Sequence, residues 1–517
     1  LDKHHAPAVH FSKNHQNADK ARASSGRPSV YSHRLQVHWS RRQKGSSLHR
    51  RKFISLTATA AASTITHRAL AQSKTIRIET PTTTGTLMPE DFTGLSYESG
   101  QLYNPNFFSP ENTALIAAFR NLTTNGVLRL GGHLSNIAPW EGVGQDDPKQ
   151  IRGVRHGIED YWEWPLVDPS IQSNKKGILT RKALTNLRAF LDAVNWRLLY
   201  TLNFACGSPA RAAEEAAAVT SIIGPRLIAF IIGNEPDGFG EDQFFRAKGY
   251  NFPQYFTEYQ SWVKTIRATV PAARFAGPDT EDEINTWVRE LAQNTRGDAI
   301  LITSHFYGMG PASDPTMTTA RLLEKSSPRL AEFLAGAKAA SAAAGGTPFR
   351  MDEGNSCFGG GRPGVSDAYA SALWAADFML QAACAGIVGV NLHGGGIGFY
   401  TPIETSAKSP AAPRPVYYGM QFAQQFAGLK IAPCPINTSE NVTAYQATTN
   451  KQTKLAIINK TPQPIHLELP SIFQNKTRQW LLEAPSLDAK QNVVFTQTQA
   501  SSPQTIPAWS AKILQAE

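Results

Sequence analysis

Between Asp91 and Gln425 the chain alternates short, almost wholly apolar runs with longer stretches rich in Ala and Leu. The apolar runs are "FTGLSYES" (92–99), "GVLRLGG" (126–132), "RLLYTLNF" (197–204), "LIAFIIGNE" (227–235), "RFAGPD" (274–279), "ILITSHFY" (300–307), "PFRMDEGN" (348–355) and "IVGVNLHGG" (387–395). Continuous rather than alternating hydrophobicity marks strands covered on both faces, as in a parallel sheet flanked by helices. The intervening segments, among them "RKALTNLRAFLDAVN" and "YFTEYQSWVKTIRAT", repeat apolar residues at helical spacing. Strand–helix alternation repeated this often predicts an α/β fold, a (β/α)8 TIM barrel over residues 91–428. An open doubly wound sheet is the competing arrangement. No Gly-rich dinucleotide loop follows the first strand, however, and "GGGIG" follows the last.

From Leu429 the texture changes. "VTAYQATTN", "KLAIINK", "PIHLELP" and "VVFTQT" are short, often alternating runs separated by Asn, Pro and Ser. They predict a C-terminal antiparallel β-sandwich domain over residues 429–517. "KTIRIET" (74–80) alternates in the same way ahead of the barrel, so residues 72–90 are expected to supply a strand to that sandwich.

The first 71 residues stand apart. Arg50 and Arg51, a mildly apolar Ala/Thr/Ser run and Ala69-Leu70-Ala71 resemble a twin-arginine export signal over residues 50–71. Residues 1–49 are rich in His, Arg, Ser and Gln without apolar period, and are expected to be disordered or an extension upstream of the true start. An exported protein, periplasmic or extracellular, is the expectation. Charge follows the same division. The chain holds 51 Lys+Arg and 41 Asp+Glu, of which 13 and 2 lie in residues 1–71, leaving 38 and 39 in the body. The basic character thus belongs to the leader, and nucleic acid is excluded as a partner of the body. No stretch has the 18 or so uncharged apolar residues of a spanning helix, so no stable membrane anchoring is expected after signal cleavage. Cys206, Cys357, Cys384 and Cys434 allow one bridge or free thiols. The body's five histidines show no paired ligand spacing, so neither a metal nor another cofactor is expected.

The polar residues that interrupt the apolar runs cluster at their C-terminal ends, where a barrel of this type carries its chemistry. Glu235 closes the fourth run and Glu353 the seventh. Buried carboxylates need a reason. Two facing one cleft can be driven to different pKa values, one protonated and one ionised, which is what cleavage of a glycosidic bond requires. Asp352 precedes Glu353, and alternation along a strand lets at most one of them point inward.

"GNEP" ending the fourth strand, a Glu ending the seventh and "LRLGG" ending the second resemble the retaining (β/α)8 glycoside hydrolases. Together with "FTGLSYES", "SHFYG" and "RMDEGNS", they resemble the heparanase and β-glucuronidase family, over residues 74–517. The resemblance implies a general acid/base at Glu235 and a nucleophile at Glu353. It implies that Asn234 bonds the hydroxyl beside the anomeric carbon, that Arg129 and Tyr307 keep Glu353 ionised and placed, and that Glu98 bonds a distal hydroxyl. In "HGGGIGFYTPI", the backbone of Gly396 and Gly398 and the Tyr400 hydroxyl are the expected donors to a sugar carboxylate. The implied partner is a glycan or glycoside bearing β-linked glucuronic acid or its 4-O-methyl form. An endo-acting relative, a neutral-sugar glycosidase, and a carbohydrate-binding protein without turnover stay open. His133 either lines the cleft or caps a turn; His305 is a core residue or a ligand; His393 touches substrate or supports its loop. Trp140, Trp162 and Trp164 either offer a sugar platform or anchor the long insert after the second strand.

Overall fold

The computed structural model describes residues 75–141, 177–240, 245–396, 398–405, 411–449, 452–474, 477–498 and 503–516. The expected extension, export signal, Trp162 and Trp164 lie outside these residues.

Two short strands, β1 (Thr75–Arg77) and β2 (Thr86–Leu87), precede the barrel. Its strands are β3 (Thr93–Glu98), β4 (Val127–Gly131), β5 (Arg197–Leu202), β6 (Leu227–Ile232), β7 (Phe275–Thr280), β8 (Ala299–Pro311), β9 (Phe349–Phe358) and β10 (Gly389–Gly394). Each pairs in parallel with the next, and β10 closes the barrel on β3 with His393 opposite Ser96. The helices between them begin where the sequence supplies caps. Ser208 accepts from Arg211 N ahead of Pro209, and Asn251 and Gln254 form a reciprocal capping box.

Strand alternation divides the barrel's interior by height. Val127 and Arg129 lie two apart and point the same way. Val127, Leu199, Ile228, Ala229, Ile231 and Ala276 form a separate apolar cluster. Arg129 is buried one step nearer the C-terminal rim. Apolar packing thus plugs the lower barrel, and polar chemistry begins above it.

The C-terminal part completes the predicted second layer. A hairpin, β11 (Ile403–Glu404) with β12 (Ala412–Pro413), follows β10. Then come β13 (Lys430–Pro433), β14 (Val442–Thr448), β15 (Thr453–Asn459), β16 (Ile465–Glu468), β17 (Thr477–Glu483), β18 (Val494–Thr498), β19 (Thr505–Ile506) and β20 (Ser510–Ala516). One sheet runs β18-β17-β20-β15-β14-β13-β2 and the other β1-β16-β19. Ile76, Leu455, Ile457, Leu467, Phe473 and Leu514 are among the residues packed between them. The sandwich is antiparallel except at one pair: β1 runs parallel to β16. β1 arrives from before the barrel, so no hairpin turn dictates its direction.

The helix Tyr369–Cys384 lies between barrel and sandwich and is buried along nearly its whole circumference, as expected of a helix apolar on all sides. Its one acid, Asp377, takes hydrogen bonds from Thr443 and Tyr445 of β14 and an ion pair from Lys460 at 2.6 Å. Among the described residues no helix is long and apolar enough to cross a membrane.

Candidate active site

The strand ends bring the expected residues to one place, with two departures. β6 stops at Ile232. Glu235 lies beyond it, at φ 52° and ψ 52°, before a turn of Pro236–Gly238. Its N–H donates to Asp279 O at 2.8 Å, and Asp279 is itself left-handed at φ 58°. Such backbone costs of order 1–3 kcal/mol per non-glycine residue and clusters at functional sites.

The second departure concerns Glu353, which does not end its strand. β9 continues to Phe358, paired with an extended β8 in which Tyr307 faces Asn355. The register between β8 and β9 jumps from Ser304–Met351 to His305–Glu353, so Asp352 is an extra, bulged residue. The expectation that only one of Asp352 and Glu353 could point inward is therefore wrong. Both reach Arg129, with Asp352 Oδ2 at 3.7 Å from Nε and Glu353 Oε2 bonded to Nη1.

Arg129, fully buried, is the hub. Nη1 also donates to Ser96 Oγ at 3.2 Å, and Nη2 donates to Asn234 Oδ1 at 2.8 Å and Asp279 Oδ2 at 2.6 Å. Burial alone would lower its pKa, but Asp279, Glu353 and Asp352 outweigh burial and raise it. Burial likewise pushes Glu353 up, yet His393, His305 and Arg129 hold it well below the usual carboxylate range. Tyr307 OH donates to Glu353 Oε1 at 3.0 Å, and His393 Nδ1 stands 3.3 Å from Oε2. Burial drives His393 down to about 4. Of the other two acids beside Arg129, Asp352 is raised by burial and by Asp279, while Asp279 is lowered because Arg129 outweighs its burial. The proton of that pair therefore resides on Asp352.

Glu235 departs from expectation in its charge. Burial pushes its carboxyl up, but His133 at 3.4 Å and a hydrogen bond with His305 Nδ1 at 2.9 Å bring it below the usual value. His305 is pushed down by burial, yet Glu353, Asp279 and Glu235 hold it well above the ordinary imidazole value. Of the Glu235–His305 pair, the imidazole therefore holds the proton expected on Glu235. Glu98 is lifted to about 7 by burial, which His133 opposes and Glu353 reinforces, and Asp237, two residues beyond Glu235, is lifted to about 7 by burial and by Glu235. Glu98 Oε2 accepts from Leu134 N at 2.8 Å, and Oε1 lies 3.8 Å from His393 Nε2.

One carboxylate oxygen of Glu235, one of Glu353 and a ring nitrogen of His305 lie within 4.8 Å of one another. Asp279, His305 and Asp352 form a second such group. The spacing would admit a cation, but the Arg129 guanidinium already bonds Glu353 and Asp279 and lies 3.3 Å from His305 Nε2, which disfavours another positive charge. Asn234 is clamped through its backbone: its N–H donates to Asn136 Oδ1 at 3.2 Å and its carbonyl accepts from Asn136 Nδ2 at 2.9 Å. Asn234 Nδ2 is left buried without a protein acceptor.

In the loop after β10, one of the three expected donors is used otherwise. Gly396 N–H donates to Thr405 Oγ1 at 3.1 Å, so this donor serves the loop and not a ligand. Gly398 O accepts from Thr401 N at 3.1 Å. Tyr400 is buried beside the site, its ring 6.2 Å from that of Tyr307 and 5.8 Å from that of His393. Asn355 Nδ2 fixes the loop by donating to His393 O at 2.9 Å and Tyr400 O at 3.0 Å. Trp140 is buried and bridges to Leu179 across the base of the insert, which makes it an anchor rather than a platform. The cysteines described are free thiols. Ser96, Asn136, Asp279 and Asn355 were not anticipated. Asp279 ends an apolar run as Glu235 and Glu353 do, and the same criterion would have found it. Asn136 lies in a loop with no such signal.

The closed (β/α)8 barrel with its appended β-sandwich is a fold that this chain shares with solved glycosidases. No protein-family model matches the chain. It is 24% identical over 421 residues to a β-glucuronidase of Neurospora crassa, spanning 71% of this chain and 70% of that enzyme. It superposes on a 4-O-α-L-rhamnosyl-β-D-glucuronidase from Fusarium oxysporum with a TM-score of 0.66 and 16% identity, covering 85% of this chain and 99% of the other. On a family 51 arabinofuranosidase from Xanthomonas axonopodis pv. citri the TM-score is 0.61 with 15% identity, covering 86% and 100%.

Proposed function

We propose that this protein is a retaining glycoside hydrolase that removes β-linked glucuronic acid, or its 4-O-methyl form, from a glycan or glycoside. The observation that carries the reading is the approach of Glu235 and Glu353 to within 4.8 Å at their nearest oxygens. Retaining pairs stand about 5–5.5 Å apart, and inverting pairs need about 6.5–9.5 Å to admit a water. The uronate half of the reading is supported by the likeness to the Neurospora crassa β-glucuronidase.

In this reading Glu353 attacks the anomeric carbon. Its ionised state is maintained near neutrality by His305, Arg129 and the Tyr307 hydroxyl. Glu235 protonates the departing oxygen with the proton it shares with His305 across 2.9 Å. Once the glycosyl ester forms, Glu353 carries no charge. The repulsion it exerted on Glu235 disappears, Glu235 becomes the weaker proton holder, and it then takes a proton from the incoming water. Asn234 Nδ2 donates to the hydroxyl beside the reacting carbon, an interaction that strengthens as charge develops there. Glu98, His133 and Tyr400 line the remaining walls and are assigned to the rest of the sugar.

A panel of aryl β-glucuronide, β-xyloside, β-glucoside and α-arabinofuranoside tests the reading. Turnover of the β-glucuronide is expected. Turnover of neutral sugars alone removes the uronate assignment, and none on any, from folded protein, leaves a carbohydrate-binding protein. Glu353→Gln should lower kcat by more than about a thousandfold on every aglycone. Glu235→Gln should cost about 10²–10⁴-fold with poor leaving groups and far less with activated aryl ones. An exported form cleaved after Ala71 follows from the leader, and the mass of the secreted protein checks it.

A further inference from the structure

The strand β6 ends at Ile232, three residues before Glu235. At Asn234 a side chain takes the place of a neighbouring strand. Asn136 Oδ1 accepts from Asn234 N at 3.2 Å, and Asn136 Nδ2 donates to Asn234 O at 2.9 Å. A residue in an antiparallel sheet exchanges the same two bonds with the residue opposite it. A side-chain amide offers that acceptor and that donor on one planar group, whereas an ionised carboxylate offers acceptors alone. Asn136 and Asn234 are both buried, and buried backbone groups need partners, so the amide of Asn136 carries both bonds.

The clamp falls next to the residue that most needs it. Glu235 has left-handed backbone at φ 52°, a conformation that persists only where the surroundings over-determine it. Its own N–H is held by Asp279 O at 2.8 Å, and two residues on, the Asp237 carboxyl accepts from Glu281 N at 3.1 Å. Asn136 holds the side before it. Asn136 in turn belongs to the short turn His133–Asn136 that follows β4. Ser135 Oγ closes this turn on Gly132 O at 2.7 Å, Leu134 N donates to Glu98 Oε2 at 2.8 Å, and His133 Nε2 stands 3.4 Å from Glu235 Oε2. Four consecutive residues thus tie the end of β4 to Glu98, Asn234 and Glu235.

We propose that Asn136 is a positioning residue for the reaction: by clamping both backbone groups of Asn234 it holds Glu235 within reach of the departing oxygen. This rests on the hydrolase reading above, and not on which sugar is removed.

The test is steady-state kinetics of the full chain on aryl glycosides with activated and with poor leaving groups, using whichever sugar of the panel the wild type turns over. Asn136→Ala should lower kcat about tenfold to hundredfold with poor leaving groups, the scale of a reacting group misplaced by an ångström or less, and far less with activated ones. Asn136→Asp keeps the acceptor and lacks the donor while ionised; protonation restores an O–H donor. Its kcat divided by that of the wild type should therefore rise as pH falls, the division removing the titrations the two proteins share. Asn459→Ala is the control: it removes two bonds to backbone at 2.8 Å within the sandwich and should leave kcat unchanged. Assays run below the thermal transition of every variant certify the fold. A loss spread evenly over leaving groups, a loss no larger than that of Asn459→Ala, or an Asn136→Asp ratio that stays flat with pH overturns the proposal alone. No turnover of any glycoside by the wild type overturns the hydrolase reading, and the proposal with it.

Discussion

Glu235 and Glu353 are the same kind of side chain in the same cleft, and their surroundings set them apart. Glu353 faces Arg129 directly, whereas Glu235 faces two imidazoles, His133 and His305. A guanidinium cannot give up its proton near neutrality; an imidazole can. The pair of Glu235 and His305 therefore keeps one mobile proton, and because His305 is raised well above its ordinary value, that proton leaves only at correspondingly high pH. His305→Asn removes the store. The proton then falls to Glu235, with His133 beside it at 3.4 Å, and that carboxyl has a lower proton affinity than the raised imidazole it replaces. The basic limb of kcat/KM should accordingly move to lower pH, with the larger loss on poor leaving groups. A limb that stays where it was would leave His305 as a spacer. The sequence displays both glutamates because each interrupts an apolar run. It does not display their proton distribution, which depends on histidines 102 and 70 positions away from Glu235 in opposite directions.

At the scale of elements, the eight strands were legible because burial on both faces leaves continuous apolar runs, and the structure's limits differ from those runs by only a few residues at most ends. Two features were not legible. The bulge at Asp352 depends on pairing with β8, and a single strand's pattern carries no register with its neighbour. The continuation of β8 and β9 past the rim passes through Gly308, Gly310 and Gly354, which read as a strand's end. Gly354 is required there by contact: a Cβ on it would lie 2.0 Å from Phe306 O on the paired strand. Gly354→Ala should destabilise the protein by about 1–3 kcal/mol or more, and disturb Glu353 beside it. Gly238→Ala, where nothing lies within 4 Å of the added carbon, should stay within about 0.5 kcal/mol. Chemical denaturation of the two variants compares them directly.

At the scale of the molecule, the barrel and sandwich are joined through a buried charge as well as apolar contact. Asp377 and Lys460 are 5% and 2% exposed at their side chains, and they bring together the helix Tyr369–Cys384 and the residue following β15. The sequence marked the change of texture near Leu429 but not this joint, since a lone acid in an apolar helix does not reveal that its partner is Lys460, 83 positions on. A buried ion pair adds little over an apolar pair of the same shape, whereas removing one partner strands the other. Asp377→Asn keeps the shape and leaves the ammonium of Lys460 without its counter-charge, so a loss of about 3–5 kcal/mol is expected. Asp377→Leu with Lys460→Met removes both charges and should recover much of that loss, although Thr443 and Tyr445 then lack their acceptor. Because the joint spans both layers, the single variant should also loosen their coupling, seen as a thermal transition that splits or broadens where the wild type gives one. A single variant as stable as wild type, still melting in one step, would mean that the apolar face of the helix holds the two layers together without the ion pair.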